Sequence, residues 1–137
     1  MIAVLAALTL AAGCAATPVH GNVVRAGPFA GHVDPHYDVV AGRFRLHVGG
    51  FRDRRVGLSQ KIGWTFPSRL YRRVGESLVV EGRRVGSPGR RFRQGFALAY
   101  ASSGPFFATN ISPPSAGCWR LAFSSGTVAG ALTVLVR

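Results

Sequence analysis

Apolar and polar residues alternate in short runs along most of this chain, and this alternation limits the fold more than any other feature. In "RFRLHV", residues 43–48, the apolar Phe44, Leu46 and Val48 take every second position. Successive side chains of a β-strand point to opposite faces, so a period of two predicts a strand with one buried face. No segment has a sustained helical period, and we therefore expect an all-β fold.

Six further runs predict strands, at residues 58–66, 77–85, 95–101, 106–111, 118–124 and 128–136. Turn-forming segments separate them, among them "GSPGRR" at residues 86–91. About seven strands at this spacing predict an antiparallel immunoglobulin-like β-sandwich, which would occupy residues 41–137. Alternation within two of these runs places Trp64 and Trp119 on the apolar face, so both are expected in the core.

The first thirteen residues, "MIAVLAALTLAAG", are uncharged and almost wholly apolar. An apolar run of this length is typical of a signal peptide, which predicts that the protein is exported. The stretch "LTLAAGC" resembles the lipobox of bacterial lipoproteins, which implies a lipid thioether on Cys14 and anchoring to the membrane at the cell surface. The alternative is an ordinary secretory peptide and a secreted protein. Residues 14–40 are expected to form a tether and an N-terminal loop.

Cys118 is the second of two cysteines, and its role depends on the fate of Cys14. If Cys14 is acylated or removed with the peptide, Cys118 has no partner in the chain. Only an unmodified Cys14 permits a bridge between them, and a flexible tether disfavours it. Cys118 has no histidine in its half of the chain to act as a base and no closely spaced metal ligands. We expect it to pack structurally in the core beside Trp119.

The C-terminal stretch "PPSAGCWRLAFSSGTVAGALTVLVR", preceded by "KIGWTF", "LVVEGRRV" and "RFRQGF", carries a resemblance. It resembles a family of small secreted or lipid-anchored bacterial proteins that share a C-terminal Gly-Cys-Trp strand and have no assigned activity. The resemblance covers residues 43–137. It implies an immunoglobulin-like sandwich outside the cytoplasm, and it transfers no catalytic residue and no cofactor.

Seventeen basic residues against five acidic ones give the chain a formal net charge of +12. A chain this basic tends to bind anions, although a codon bias toward arginine is an alternative explanation. Guanidinium groups bind phosphate and carboxylate in bidentate geometry. Loops at one end of the sandwich are expected to gather a candidate anion-binding cluster, which comprises Arg72, Arg73, Arg83, Arg84, Arg90, Arg91 and Arg93. Anionic lipid or a wall polymer is the expected partner, and nucleic acid is not expected; a solvated basic edge is the competing interpretation.

The segment "GHVDPHYD", residues 31–38, suggests a different function. His32, Asp34 and His36 recur at every second position, and His47 can supply a further ligand, so these residues form a candidate divalent-metal site. The competing interpretation is an ordinary loop, because Asp and Pro are common turn residues. The sequence thus favours an exported, non-enzymatic β-sandwich protein without a cofactor. The alternative is a small metal-binding protein or hydrolase of the envelope.

Overall fold

A computed structural model describes residues 13–50, 52–53, 58–59 and 61–137. The predicted signal peptide, residues 1–13, lies outside this range except for its last residue. The predicted all-β class is confirmed, since the described chain is mostly strand with a single short 3₁₀ turn at Ser68–Leu70. Within the described part of the chain, no helix has the length and hydropathy needed to cross a membrane.

The strands are β1 (Val23–Ala26), β2 (Phe29–His32), β3 (Val39–Val40), β4 (Arg43–Leu46), β5 (Arg52–Asp53), β6 (Leu58–Ser59), β7 (Ile62–Thr65), β8 (Ser77–Arg84), β9 (Ser87–Ala101), β10 (Gly104–Thr109), β11 (Gly117–Ser125) and β12 (Val128–Val136). Ten of them form one sheet in the order β1-β2-β7-β10-β9-β8-β11-β12-β4-β3. Strands β5 and β6 pair only with each other.

The ten-stranded sheet curls into a half-barrel, and the immunoglobulin-like sandwich of seven strands is not confirmed. The physical reason is strand β9, which is 15 residues long. Its residues 87–97 pair with β8, and its residues 98–101 pair with β10. Backbone hydrogen bonds therefore continue from one half of the fold to the other, where a sandwich would have a gap between two sheets. The sheet is also mixed, because β4 lies parallel to β12.

Several boundaries differ from those predicted. Strand β4 ends at Leu46, so Val48, predicted on the apolar face, is exposed, and the larger differences concern β9 and β7. The "GSPGRR" segment, predicted as a turn, is largely strand and begins β9. A shift in the β8–β9 register between Arg83 and Arg84 accommodates its extra residues as a bulge. The strand predicted at residues 58–66 is divided into β6 and β7. In β7 the predicted alternation holds, with Ile62 and Trp64 buried.

Residues 14–40 contribute strands to the sheet, so the expectation of a tether and loop is wrong for most of this segment. Strands β1, β2 and β3 all lie within it. Before them, Thr17 lies between β12 and β4: its N–H donates to the Thr133 carbonyl at 2.8 Å, and its carbonyl accepts from the Phe44 N–H at 2.9 Å. Thr17 Oγ1 also accepts a hydrogen bond from the Thr133 N–H. The N-terminal segment thus satisfies backbone groups where β12 and β4 no longer pair with each other.

A disulfide joins Cys14 to Cys118, with the two Cα atoms 5.5 Å apart. The expectation that Cys118 is an unpaired residue of the core is therefore wrong. Cys118 shares the outer face of β11 with Arg120, while Trp119 points inward as the alternation predicted. Because Cys14 runs beside β12 instead of in a tether, its sulfur can reach the neighbouring strand β11. In this form the Cys14 sulfur is not available for the predicted thioether.

The core lies on the concave face of the curled sheet. Trp64 on β7 and Phe123 on β11 meet edge to face with ring centroids 4.6 Å apart, although several strands separate them in the sheet. Trp64 and Trp119 are both fully buried. The Trp64 indole N–H donates to Thr109 Oγ1 at 2.9 Å, and that hydroxyl donates to the Ile62 carbonyl at 3.0 Å. Each polar group of this buried network has a partner, so burying it carries little penalty.

The curl brings the first strand of the sheet against β12 through a pair of glycines. A Cβ atom at Gly130 would overlap the carbonyl oxygen of Ala26 at the end of β1. A Cβ atom at Gly27 would come within 2.9 Å of the Gly130 Cα atom. Only a residue without a side chain permits this approach of two backbones.

We expect Gly130→Ala to lower the free energy of unfolding by roughly 2 kcal/mol, because the backbone of β1 must move away from β12. Gly95→Ala on β9 is the matched control, since its Cβ atom would have no neighbour within 4 Å, and we expect it to change stability by less than about 0.5 kcal/mol. Urea unfolding of the two variants measures the difference. Equal stabilities would show that the contact between β1 and β12 does not hold the half-barrel closed.

Candidate anion-binding face

Strands β9, β8 and β11 are neighbours in the sheet, and their outward side chains form one continuous surface. On β8, Leu78 and Val80 point into the core, so Glu81 and Arg83 point outward. On β11 the same alternation turns Arg120 outward. The apolar residues that build the core therefore also decide which side of the sheet carries the basic residues.

Strand register places three arginines side by side on this surface. Arg91 on β9 is directly opposite Arg83 on β8, and Arg83 is directly opposite Arg120 on β11. Directly opposed residues on neighbouring strands have Cβ atoms only about 5 Å apart. We call Arg91, Arg83 and Arg120 the arginine row. It runs across the strands, and Thr133 on β12 continues it, accepting a hydrogen bond from Arg120 Nη1 at 3.3 Å.

The adjacent row of residues contains the one acidic side chain of these three strands. Glu81 lies opposite Arg93, and their Oε1 and Nη1 atoms are 3.5 Å apart. Both side chains are well exposed, so this ion pair contributes little to stability. It nevertheless directs the carboxylate toward Arg93. The two rows together carry four guanidinium groups against one carboxylate, which leaves an excess of positive charge on the outer face.

A shallow cavity of about 520 Å³ lies on this part of the sheet. Arginine side chains surround it, and small residues make room for it. Its lining comprises Glu81, Gly82, Arg83, Arg91, Phe92, Arg93, Arg120 and Ala122. The arginine row thus borders a concave surface.

The structure does not gather all seven predicted arginines. Arg84 lies on the other side of β8 from Arg83, against Gly117, and Arg90 is exposed next to the β8–β9 bulge. Arg72 and Arg73 lie at the opposite end of β8, where Arg73 Nε donates to Thr127 Oγ1. The expectation that loops at one end collect the cluster is wrong. Its members at positions 83, 91 and 93 are brought together by strand pairing.

Arg120 belongs to the face and was missing from the predicted cluster. Arg120 is far along the sequence from the other arginines, so a search for clustered arginines did not find it. Proximity on a sheet depends instead on which strands pair. The alternation in "CWRLAF" indicated an outward Arg120, but only the order β9-β8-β11 makes it a neighbour of Arg83.

The predicted metal-ligating residues do not converge. His32 Nε2 lies 3.4 Å from Thr65 Oγ1, and His47 Nε2 lies 3.1 Å from the Tyr37 carbonyl oxygen. Asp34 Oδ1 accepts the His36 backbone N–H at 2.8 Å, which is the hydrogen bond of an ordinary Asx turn. Among the described residues, no group of three or more His, Cys, Asp or Glu side chains is placed to hold a metal ion. The structure therefore places these residues in a turn and its flanks.

We expect Arg83→Gln to raise the free energy of unfolding by about 0.5 kcal/mol, because Arg83 faces a like charge on each side. Arg25→Gln is the control, since Arg25 is exposed on β1 opposite the uncharged Ala30. The gain should shrink as salt screens the repulsion. Urea unfolding at low and high salt measures it. A loss of stability in Arg83→Gln would show that the arginines of the row do not repel one another.

Comparisons of the chain with protein-family models, with curated proteins and with solved structures find no match. The resemblance to secreted bacterial proteins with a Gly-Cys-Trp strand therefore stays a prediction. The geometry of the chain's own residues is what supports a functional assignment.

Proposed function

We propose that this protein is an exported, non-enzymatic β-protein that binds an anionic component of the cell envelope through the arginine row. The observation that carries the proposal is the register that sets Arg91, Arg83 and Arg120 side by side at the edge of a cavity. We also propose an immunoglobulin-like architecture, which is supported by the resemblance of the C-terminal strands alone.

The charges of the row support binding over a purely structural role. Like charges on directly opposed strand positions destabilise a sheet, so the row lowers the stability of the free protein. An anion that contacts the guanidinium groups removes this repulsion and adds charge-assisted hydrogen bonds. Residues that cost stability in the free protein and gain it on binding are typical of functional sites.

Export is supported by two features. The first is the apolar run at residues 1–13, which is typical of a signal peptide. The second is the Cys14–Cys118 disulfide, because disulfides persist in oxidising compartments outside the cytoplasm. A disulfide and a lipid thioether compete for the Cys14 sulfur. We propose that the disulfide-bonded form predominates and that the protein is held at the envelope by its arginines.

The state of Cys14 is tested by the intact mass of the protein from the soluble and membrane fractions of a bacterial host. We expect a species without a lipid whose mass rises by two hydrogen atoms on reduction, because one disulfide opens to two thiols. Cys118→Ser is the control, since it leaves Cys14 without a partner and removes that shift. A membrane species that begins at Cys14 and carries a diacylglyceryl group would overturn the disulfide-bonded form and establish a lipid anchor instead.

The binding face is tested with a variant in which Arg83, Arg91 and Arg120 are replaced by Gln. We expect this variant to lose most of its salt-sensitive binding to isolated cell envelopes, by at least about tenfold in affinity. The matched control replaces the exposed Arg25, Arg69 and Arg72, which removes the same charge from other parts of the surface. Cosedimentation at several salt concentrations measures both.

The two variants separate a specific face from general basicity. If both lose binding equally, the net charge of +12 attracts the envelope without a defined site. If neither loses binding, the arginine row does not bind the envelope. Either result would overturn the proposed function.

A further inference from the structure

We propose that the ligand of the arginine row is a linear polyanion, a chain with repeated phosphate or carboxylate groups, that lies across strands β9, β8 and β11. This inference rests on the proposed function and adds the chemical class and the orientation of the ligand. It is drawn from the arrangement of the three arginines, which are placed one per strand in a single line.

The spacing of the row suits repeated charges. Neighbouring strands of a sheet lie about 4.8 Å apart, so the positions of Arg91 and Arg120 are separated by roughly 10 Å. One small anion carries at most about two negative charges, so it cannot neutralise all three guanidinium groups of the line. A chain with several charges can engage all three, and each contact after the first is intramolecular and therefore gains effective concentration.

The residues beside the row define its direction. In the next row Glu81 takes the position that is adjacent to Arg83 on the same face of β8, and Ala122 takes the equivalent position beside Arg120. A polyanion that ran along β8 would leave Arg83 and meet the Glu81 carboxylate, and one that ran along β9 would have to compete with that carboxylate for Arg93. A polyanion that runs across them meets only Arg91, Arg83 and Arg120. The charge pattern thus favours the crossing orientation.

The surface favours a chain over a lipid bilayer. The cavity is concave, and its small residues, Gly82 and Ala122, contribute no side chain that can insert among lipids. The ring of Phe92, which also lines the cavity, packs against the buried Trp119. Proteins that lie on membranes combine basic residues with large apolar ones that enter the interface. Four large apolar side chains are strongly exposed among the described residues, and none of them lines this cavity: Val48, Tyr71, Val85 and Tyr100.

The test measures affinity for anions of increasing length at constant ionic strength. The probes are orthophosphate, tripolyphosphate and a polyphosphate of about ten units, with galacturonic acid and its trimer as the carboxylate series. We expect tripolyphosphate or the galacturonate trimer to bind at least about tenfold tighter than its monomer. Further length should add little, because three arginines are then occupied.

Single variants test the linear order. Arg83→Gln removes the middle of the row and leaves two separated charges, whereas Arg91→Gln or Arg120→Gln leaves an adjacent pair. We therefore expect Arg83→Gln to weaken tripolyphosphate binding more than either end variant. Each variant should also reduce the slope of log affinity against log salt concentration by about one. Thermal unfolding confirms that the variants are folded, and the length series needs no variant.

Two results would overturn the inference without overturning the proposed function. If each monomer binds as tightly as its oligomers while binding still requires the row, the site holds a single anion. If vesicles with anionic lipid bind through the row and neither oligomer competes, the ligand is a membrane surface. Loss of all dependence on the row would instead contradict the proposed function itself.

Discussion

The structure depends on the need to cover the one apolar face of its sheet, and the contact between Trp64 and Phe123 shows how the fold does this. The two rings touch, yet their strands are separated by three others in the order of the sheet. The sheet has one apolar face, and because no second layer covers that face among the described residues, the sheet curls until its two halves meet. The length of β9 and the glycine contact between β1 and β12 both permit that curl, because the long strand continues the sheet from one half to the other and the glycines let β1 approach β12.

The burial of one face of the sheet determines which residues are exposed to solvent on the other face. Each Leu or Trp that points inward on β8 and β11 is followed by a residue that points outward. Arginine occupies such positions at Arg83 and Arg120, and β9 adds Arg91 in register. The arginine row therefore has the rigidity of the sheet beneath it. A binding surface carried on paired strands holds its charges in a fixed order, which loops do not provide.

Local pattern predicted the class of the fold and the orientation of many residues. The alternation at Phe44 and Leu46 and the inward Trp119 were readable from the sequence, because the period of two is a property of a single strand. The two strands within residues 23–32 could not be predicted in this way, because each is only four residues long and a Gly-Pro turn separates them. The position of Arg120 beside Arg83 was also hidden, because alternation predicts which face a residue takes and says nothing of the neighbouring strand.

The disulfide decides how this molecule would carry a mechanical load. Cys118 lies in β11, which is hydrogen-bonded to β8 on one side and to β12 on the other. Tension applied along the chain before Cys14 passes through the sulfur bridge into that central strand, and residues 15–26 stay slack. Peeling the N-terminal strands away one bond at a time is then impossible. The force instead enters the fold at β11, a strand hydrogen-bonded on both sides, and bypasses the N-terminal strands for as long as the bridge is intact.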